Sequence, residues 1–282
     1  MESIKELRDI CQSTRPSIFS DPLSKLYYQV SIYFTWVFIL IRLNANQVTV
    51  LSGLVALIGG YLISSSSPFI VLIGGICFHL FAIFDMCDGE VARYRNEGGV
   101  EGHYLDWYMH FITPTALVIG LFLASFNRLD DTGFLFFGLV AIVIPLLSKS
   151  VQNAGWTVIV WTLLRNKKLN NVNPLEIKSR KIHKKNRSKL YKLARLGLTS
   201  PFEDRWSSIL ILLLPLIDLI FVFFNVSFLD YRYFWLLYMG IAGPIYIYLK
   251  VREMILYPSL VEGYNRIVDP SHKVTLPEDD FL

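Results

Sequence analysis

A series of apolar segments constrains this chain most, because several of them approach the ~20 residues that an α-helix needs to cross a bilayer. Hydrophobic residues make up 53% of the 282 residues, and the mean hydropathy is positive, at +0.44. A backbone in lipid must satisfy its own hydrogen bonds, and these segments are too long to be barrel strands. The sequence therefore predicts an all-α integral membrane protein.

Six apolar segments are predicted to span the bilayer. They cover approximately residues 47–63, 68–84, 104–125, 133–164, 206–224 and 231–249. The fourth is far longer than one span requires, so we expect it to tilt or to project beyond the bilayer. We divide the chain into a cytosolic N-terminus with an interfacial helix (1–43), a six-span membrane domain (44–255) and a cytosolic C-terminal tail (256–282).

A further apolar stretch, residues 25–42, precedes the first span and reads KLYYQVSIYFTWVFILIR. Because Gln29, Ser31 and Thr35 interrupt it, this stretch could either span the bilayer or lie flat on its surface. Its aromatic residues and its flanking cations favour the interface. We therefore expect six transmembrane helices preceded by an N-terminal amphipathic juxtamembrane helix.

Positive charges outside the spans predict the orientation of the chain, since short loops rich in Lys and Arg stay in the cytoplasm. The polar segment 165–205 is dense in such residues, and the N-terminus, Arg93, Arg95 and the C-terminal tail fall on the same side. The basic segment either fixes this topology or also attracts anionic headgroups or a phosphorylated acceptor. We expect no nucleic-acid partner.

The stretch from Asp85 to His110 places charged groups beside some of the most apolar sequence of the chain. An ionised carboxylate is costly there unless it is paired or bound to a metal. Asp85 and Asp88 are three residues apart, and Asp106 and His110 are four apart, so each pair shares one face of its helix. Two helices could thus bring four ligand groups together.

Clustered carboxylate oxygens suit hard cations such as Mg²⁺, Mn²⁺ or Ca²⁺, and two such ions close together can clamp a phosphoryl or pyrophosphate group. Gly89 follows Asp88 directly, and Gly102 stands one helical turn before Asp106. Without a side chain at these positions, a ligand could come close to the backbone. The pattern is typical of a metal-dependent site for a phosphate-bearing ligand.

At these residues the chain resembles the CDP-alcohol phosphotransferase family, also called CDP-alcohol phosphatidyltransferases, whose motif is D-x2-D-G-x2-A-R-x8-G-x3-D-x3-D. Seven of the eight fixed positions match: Asp85, Asp88, Gly89, Ala92, Arg93, Gly102 and Asp106. His110 replaces the last Asp. The resemblance implies that Asp85, Asp88, Asp106 and the residue at His110 hold two divalent ions, Mg²⁺ or Mn²⁺, over the pyrophosphate of a CDP-linked donor.

The same resemblance implies roles for the remaining motif positions. Gly89, Ala92, Arg93 and Gly102 would shape the nucleotide pocket, and Arg93 would also offset phosphate charge. The fourth acid of the family deprotonates the acceptor hydroxyl, so we expect catalysis to depend on the site of Asp106 and His110.

The segment NANQVTVLSG, residues 44–53, resembles the P-N-x-I/V-T opening of the first span in the same family, with Ala45 in place of the proline. The resemblance implies that Asn46 and Thr49 line the active site. Alternatively, Asn44 or Asn46 simply caps a helix that enters the membrane.

Lys149 lies near the middle of the fourth apolar segment, among Ser148, Ser150 and Gln152. A lysine inside a membrane must face a cavity or an anion, so we expect Lys149 to line an anion-accepting part of the active site. The alternative is a salt bridge, for example to Asp218 in the fifth span.

His110 changes what the fourth motif position can do. A neutral imidazole can accept a proton from an alcohol, and its ordinary pKa of ~6.5 is nearer to cytosolic pH than the ~3.9 of Asp. As a ligand it is softer than a carboxylate, so the site should tolerate Mn²⁺, Co²⁺ or Zn²⁺ better than an all-carboxylate site. The structural alternative is a buried histidine that is hydrogen-bonded within a helix bundle.

Together these features predict a membrane transferase that moves a substituted phosphate from a CDP-linked donor to an alcohol acceptor and releases CMP, with its site at the cytoplasmic face. The resemblance also implies a homodimer, and Gly59, Gly60, Gly74 and Gly75 would allow close helix contact. Two alternatives stay open, namely a non-catalytic relative that binds a CDP-lipid and a hydrolase in which His110 activates water. The acceptor alcohol, and the choice between CDP-diacylglycerol and a soluble CDP-alcohol as donor, are open as well.

Overall fold

The computed structural model describes residues 2–13, 22–97, 99–129, 132–168, 204–224 and 231–256, and every regular element within these ranges is an α-helix. This confirms the predicted all-α class. Most of the predicted basic loop at 165–205 and nearly all of the tail at 256–282 lie outside the described residues. In chain order the helices are α1 (Ile4–Cys11), α2 (Pro22–Leu40), α3 (Ala45–Ile63), α4 (Pro68–Arg95), α5 (Val100–Leu129), α6 (Thr132–Lys168), α7 (Asp204–Phe223) and α8 (Tyr231–Leu256).

Five of these helices, α3, α4, α5, α6 and α8, contain segments long and apolar enough to cross a membrane. In α7 the apolar segment is shorter, Ile209–Phe221. Large apolar side chains stay exposed on the helix surfaces, as for Tyr61 at 76% and Trp161 at 69%. Such surfaces are suited to lipid, and the chain is an integral membrane protein. The count of six spans stays a prediction.

Helix α4 is longer than the predicted second span. The apolar run ends at Phe84, but the helix continues to Arg95 and ends at Asn96, whose left-handed backbone (φ 55°) caps it. Hydropathy marks where a chain leaves lipid, whereas helical hydrogen bonding continues until a capping residue ends it. The motif positions from Asp85 to Arg93 therefore lie on one helix.

Glycines allow α3 to approach α4 and α5 closely. A Cβ on Gly59 would lie 3.0 Å from the carbonyl oxygen of Gly74, and a Cβ on Gly60 would lie 2.5 Å from that of Ala116. Gly75 makes a similar approach to α7. The four predicted glycines thus serve close helix contact within one chain. The homodimer stays a prediction and would need other surfaces.

Helix α2 matches the predicted helix at 25–42 and packs against α4. Its buried side includes Ser31 and Thr35, whereas Leu26, Tyr33 and Leu40 are exposed. The buried side of α2 also carries Tyr27, Ile32 and Phe38, so it is mixed, while large apolar side chains remain on the outward side. Whether α2 lies flat at the interface stays a prediction.

Arg232, at the start of α8, is buried rather than exposed in a loop. Its Nη1 donates hydrogen bonds to the carbonyl oxygens of Ile63 at 2.8 Å and Ser65 at 2.6 Å. The last carbonyls of a helix lack partners within it, and a buried guanidinium can supply them. Arg232 thus joins α8 to the end of α3, on the side of the bundle away from the acidic motif.

Candidate active site

Helices α4 and α5 bring two acids and one imidazole together. The Nε2 atom of His110 lies 3.4 Å from Oδ1 of Asp106, one turn earlier on α5, and 3.5 Å from Oδ1 of Asp85 on α4. All three side chains are half-buried. The i,i+4 spacing on α5 and the antiparallel approach of α4 create this cluster.

The cluster has the composition of a metal site. One ligand atom from each of Asp85, Asp106 and His110 lies within 4.8 Å of the other two. Two carboxylate oxygens suit Mg²⁺ or Mn²⁺, and an imidazole nitrogen extends the choice to softer divalent ions. These residues therefore fit a divalent cation, which would neutralise the negative charge of the two acids.

Asp88 lies one turn beyond Asp85 and is held by α3. Thr49 Oγ1 donates a hydrogen bond of 2.6 Å to Asp88 Oδ2 and lies 3.1 Å from the carbonyl oxygen of Ala45. Thr49 is buried, so this hydroxyl orients the carboxylate rather than contacting solvent. Thr49 thus contacts a motif acid, although Asp88 stands outside the three-residue cluster described above, and the role of Thr49 in the active site stays a prediction.

The two asparagines at the start of α3 have different places. Asn44 is the cap, since its side chain accepts from the backbone N–H of Gln47 at 2.8 Å, while Gln47 Oε1 accepts from the backbone N–H of Asn44 at 2.9 Å. Asn46 lies in the first turn, and a Cβ on Gly102 would come within 3.0 Å of its Oδ1. Gly102 therefore leaves room for Asn46 between α3 and α5.

Arg93 lies over the backbone of Gly89. A Cβ on Gly89 would lie 3.3 Å from Nη1 of Arg93, so the guanidinium occupies the space that a larger residue would need. The Nε of Arg93 donates to the carbonyl oxygen of Cys11 at 2.6 Å. Ala92 lies beside Arg93, half-buried, and its carbonyl oxygen accepts from the backbone N–H of Glu97 at 2.9 Å. The positive charge of Arg93 is thereby held next to Gly89.

Lys149 lies half-buried on α6, close enough to His110 to act on it electrostatically. Among the side chains that the structure describes, Lys149 has no hydrogen-bond or ion-pair partner. The side chain of Asp218 lies outside those described, so the alternative salt bridge stays untested. The active-site role of Lys149 stays a prediction.

A second lysine, one residue beyond the predicted last span, lies beside α6. Lys250 Nζ on α8 donates to Tyr246 OH at 2.8 Å and to Ser148 Oγ at 3.3 Å. Ser148 precedes Lys149, so α6 and α8 bring two cations to the same part of the bundle. The i,i+4 spacing of Tyr246 and Lys250 was a local signal for this pair.

The sequence analysis did not identify one buried carboxylate, that of Glu90. Glu90 lies between Gly89 and Arg93 and is fully buried. It accepts hydrogen bonds from side chains of the N-terminal segment and α2, namely Gln12, Ser31 and Thr35. No local pattern joins a glutamate on α4 to residues 55 to 78 positions earlier, so only the tertiary structure shows this network.

Comparison with known families places these residues in context. A sequence model of the family described as CDP-alcohol phosphatidyltransferase matches residues 42–180, which include the acidic cluster and Lys149. No curated protein matches the chain significantly.

A solved structure shares the fold. The crystal structure of Mycobacterium tuberculosis phosphatidylinositol phosphate synthase with CDP-DAG bound is 15% identical in sequence, with a TM-score of 0.51, and the match covers 82% of this chain and 96% of that one. At this identity the likeness concerns the helical membrane fold.

Proposed function

We propose that this chain, a transferase whose residues 42–180 match the CDP-alcohol phosphatidyltransferase family model, moves a substituted phosphate from a CDP-linked donor to an alcohol acceptor and releases CMP. The observation that carries this proposal is the convergence of Asp85, Asp106 and His110 from two helices, with ligand atoms within 4.8 Å of one another. Two carboxylates and an imidazole at these distances suit a metal ion that binds a diphosphate.

Asp85, Asp88, Asp106 and His110 would hold two divalent ions, Mg²⁺ or Mn²⁺. When bound, the ions would neutralise the charge of the donor diphosphate. The chain itself contributes preorganisation, because the hydrogen bond from Thr49 fixes Asp88 in one orientation.

The donor would bind along α4 and the start of α5. Arg93 lies over Gly89 and offers a guanidinium to phosphate oxygens, and Asn46 lies beside Gly102. The phosphatidylinositol phosphate synthase with the same fold binds CDP-DAG, which supports a CDP-linked donor here. Both CDP-diacylglycerol and soluble CDP-alcohols remain candidates.

His110 would act as a metal ligand and as a proton acceptor at the acceptor hydroxyl. Its Nε2 faces both Asp85 and Asp106, and this position supports the ligand role first. A neutral imidazole can also accept the proton that the alcohol loses on attack. Asp106 would keep the ring in place in either role.

The acceptor would bind toward Lys149 and Lys250, the basic side of the site. Lys149 lies near His110, and Lys250 is held by Ser148 and Tyr246 beside it. Two cations in a bundle interior favour an anionic or strongly polar ligand. We place the site at the cytoplasmic face of the membrane, in a homodimer, as the charge distribution and the family resemblance imply.

The proposal is tested by CMP release from CDP-diacylglycerol and from CDP-choline, against a panel of alcohols, with and without Mg²⁺ or Mn²⁺. We expect turnover to require one donor, one alcohol and a divalent ion. CMP release without any alcohol would indicate the hydrolase, and donor binding without turnover would indicate the non-catalytic relative. Asp106→Asn serves as the inactive control.

A further inference from the structure

Glu90 is a buried acid that the proposed chemistry does not use. Its Oε1 accepts from Gln12 Nε2 at 2.7 Å and from Ser31 Oγ at 2.6 Å, and its Oε2 accepts from Thr35 Oγ1 at 2.6 Å. Within the described part of the chain, no cation lies at ion-pair distance from it. All three donors are neutral, and all come from the N-terminal segment or α2.

This arrangement requires the N-terminal helices to be docked. A buried carboxylate is costly unless hydrogen bonds replace its water, and the three donors do so only when α1 and α2 lie against α4. Glu90 therefore favours one position of the N-terminal segment relative to α4.

Gln12 is the residue through which this docking reaches the end of α1. Besides Glu90, its Nε2 donates to the carbonyl oxygen of Tyr28 at 2.8 Å, and Tyr28 OH donates to the carbonyl oxygen of Gln12 at 2.9 Å. Gln12 is itself buried. Its side chain and its backbone are thus both fixed.

The residue before Gln12 holds Arg93. The Cys11 carbonyl oxygen accepts from Arg93 Nε at 2.6 Å, which leaves the Nη groups over Gly89. Only the backbone of Cys11 takes part, because burial raises the pKa of its thiol to about 11 and keeps the thiol neutral. The path runs from Glu90 through Gln12 and the Cys11 carbonyl back to Arg93, one turn along α4.

We propose that Glu90 and Gln12 are positioning residues, which hold the Cys11 carbonyl so that the Arg93 guanidinium is aimed at the diphosphate of the CDP-linked donor. This inference rests on the proposed function and adds a role for the N-terminal helices in donor recognition. The buried glutamate, which directly follows the glycine of the motif, thereby links α1 and α2 to the active site.

The test uses the full chain purified into lipid nanodiscs, with Mg²⁺ and CDP-diacylglycerol or CDP-choline, whichever the wild type turns over. Gln12→Leu should raise the donor KM about fivefold while kcat stays within about twofold. The Arg93 guanidinium would lose its orientation toward the donor, whereas the metal cluster would stay intact. Glu90→Gln keeps an acceptor oxygen for Gln12, so the donor KM of this variant should stay near that of the wild type. Glu90→Leu, where it folds, should behave as Gln12→Leu does.

Tyr94→Phe is the matched control. Tyr94 OH donates to Glu2 Oε2 at 2.9 Å and also ties the N-terminal segment to α4, and among the described residues this hydroxyl makes no hydrogen bond to Arg93 or Cys11. A donor KM that rises equally in Tyr94→Phe would mean general loosening of the N-terminal segment and would overturn the positioning role.

A double-mutant cycle with Arg93→Met decides whether Gln12 acts through Arg93. The double variant should show no higher donor KM than Arg93→Met alone, and additive effects would overturn the proposal. If the wild type neither binds nor turns over a CDP-linked donor, the proposed function fails and this inference fails with it. A wild type that turns over donor with an unaffected Gln12→Leu overturns the inference alone.

Discussion

Asp85 and Glu90 are acids on the same helix, but their surroundings differ completely. The Asp85 side chain is 25% exposed and lies beside a second acidic residue and an imidazole, which together have the composition of a metal site. Glu90 is 0% exposed, and the protein satisfies both of its oxygens with neutral donors. Neutral donors around a buried acid indicate a structural role, whereas a cluster of acids and an imidazole suits a metal ion.

Helix geometry separates these two regions. Five residues along an α-helix correspond to a rotation of about 140° between side chains. Asp85 therefore faces α5, while Glu90 faces α1 and α2. One helix can thus present a binding face to the cavity and a docking face to the N-terminal segment.

The largest expected effect on activity comes from Asp85 and Asp106, which we call the cavity acids. Asp106→Asn or Asp85→Asn should lower the rate of CMP release about a thousandfold or more, because each removes a charged ligand that stabilises developing charge. Thermal unfolding of the metal-free protein should be unchanged or shifted upward, since repulsion between the acids decreases. A variant with near wild-type turnover would refute the metal assignment.

His110 should follow the cavity acids in size of effect. His110→Ala should lose about a hundredfold in rate, within the range for a general base, and His110→Asp should retain more activity because a carboxylate can bind metal and accept a proton. Steady-state kinetics in Mg²⁺ and in Mn²⁺ measure both variants. Full turnover by His110→Ala would support the alternative in which His110 is a hydrogen-bonded structural histidine.

Glu90 should show the opposite pattern to the cavity acids. Glu90→Leu leaves three buried donors without their acceptor and should cost about 3 kcal/mol in the free energy of unfolding, while Glu90→Gln should cost clearly less. Thermal unfolding in detergent, with Asp85→Asn as the comparison, measures this difference. Equal stability of Glu90→Leu and wild type would remove the distinction between the two regions.

Lys149 should show the smallest of these effects. Lys149→Met should raise the KM for the acceptor alcohol about tenfold, because one of two cations on the basic side is lost. Arg165→Met is the control, since it removes a cation from the exposed end of the same helix. Lower stability with unchanged kinetics would instead support the salt bridge to Asp218.

Local spacing predicted much of the candidate site. The shared face of Asp106 and His110 and that of Asp85 and Asp88 followed from helix periodicity, and the small residues of α3 followed from what close membrane helices need. The end of α4 could not be predicted from hydropathy, because the helix ends at the cap of Asn96 rather than at the last apolar residue.

The sequence by itself determined the all-α fold class, the motif and the kind of ion that its acids suit. These properties depend on composition and on spacings within a few residues. The tertiary structure decided which polar groups meet. Asn44 caps α3 while Asn46 lies against Gly102, Lys250 joins Ser148, and Glu90 receives donors from the N-terminal segment and α2. These contacts depend on which helix faces pack together, and helical periodicity specifies a face but not its partner.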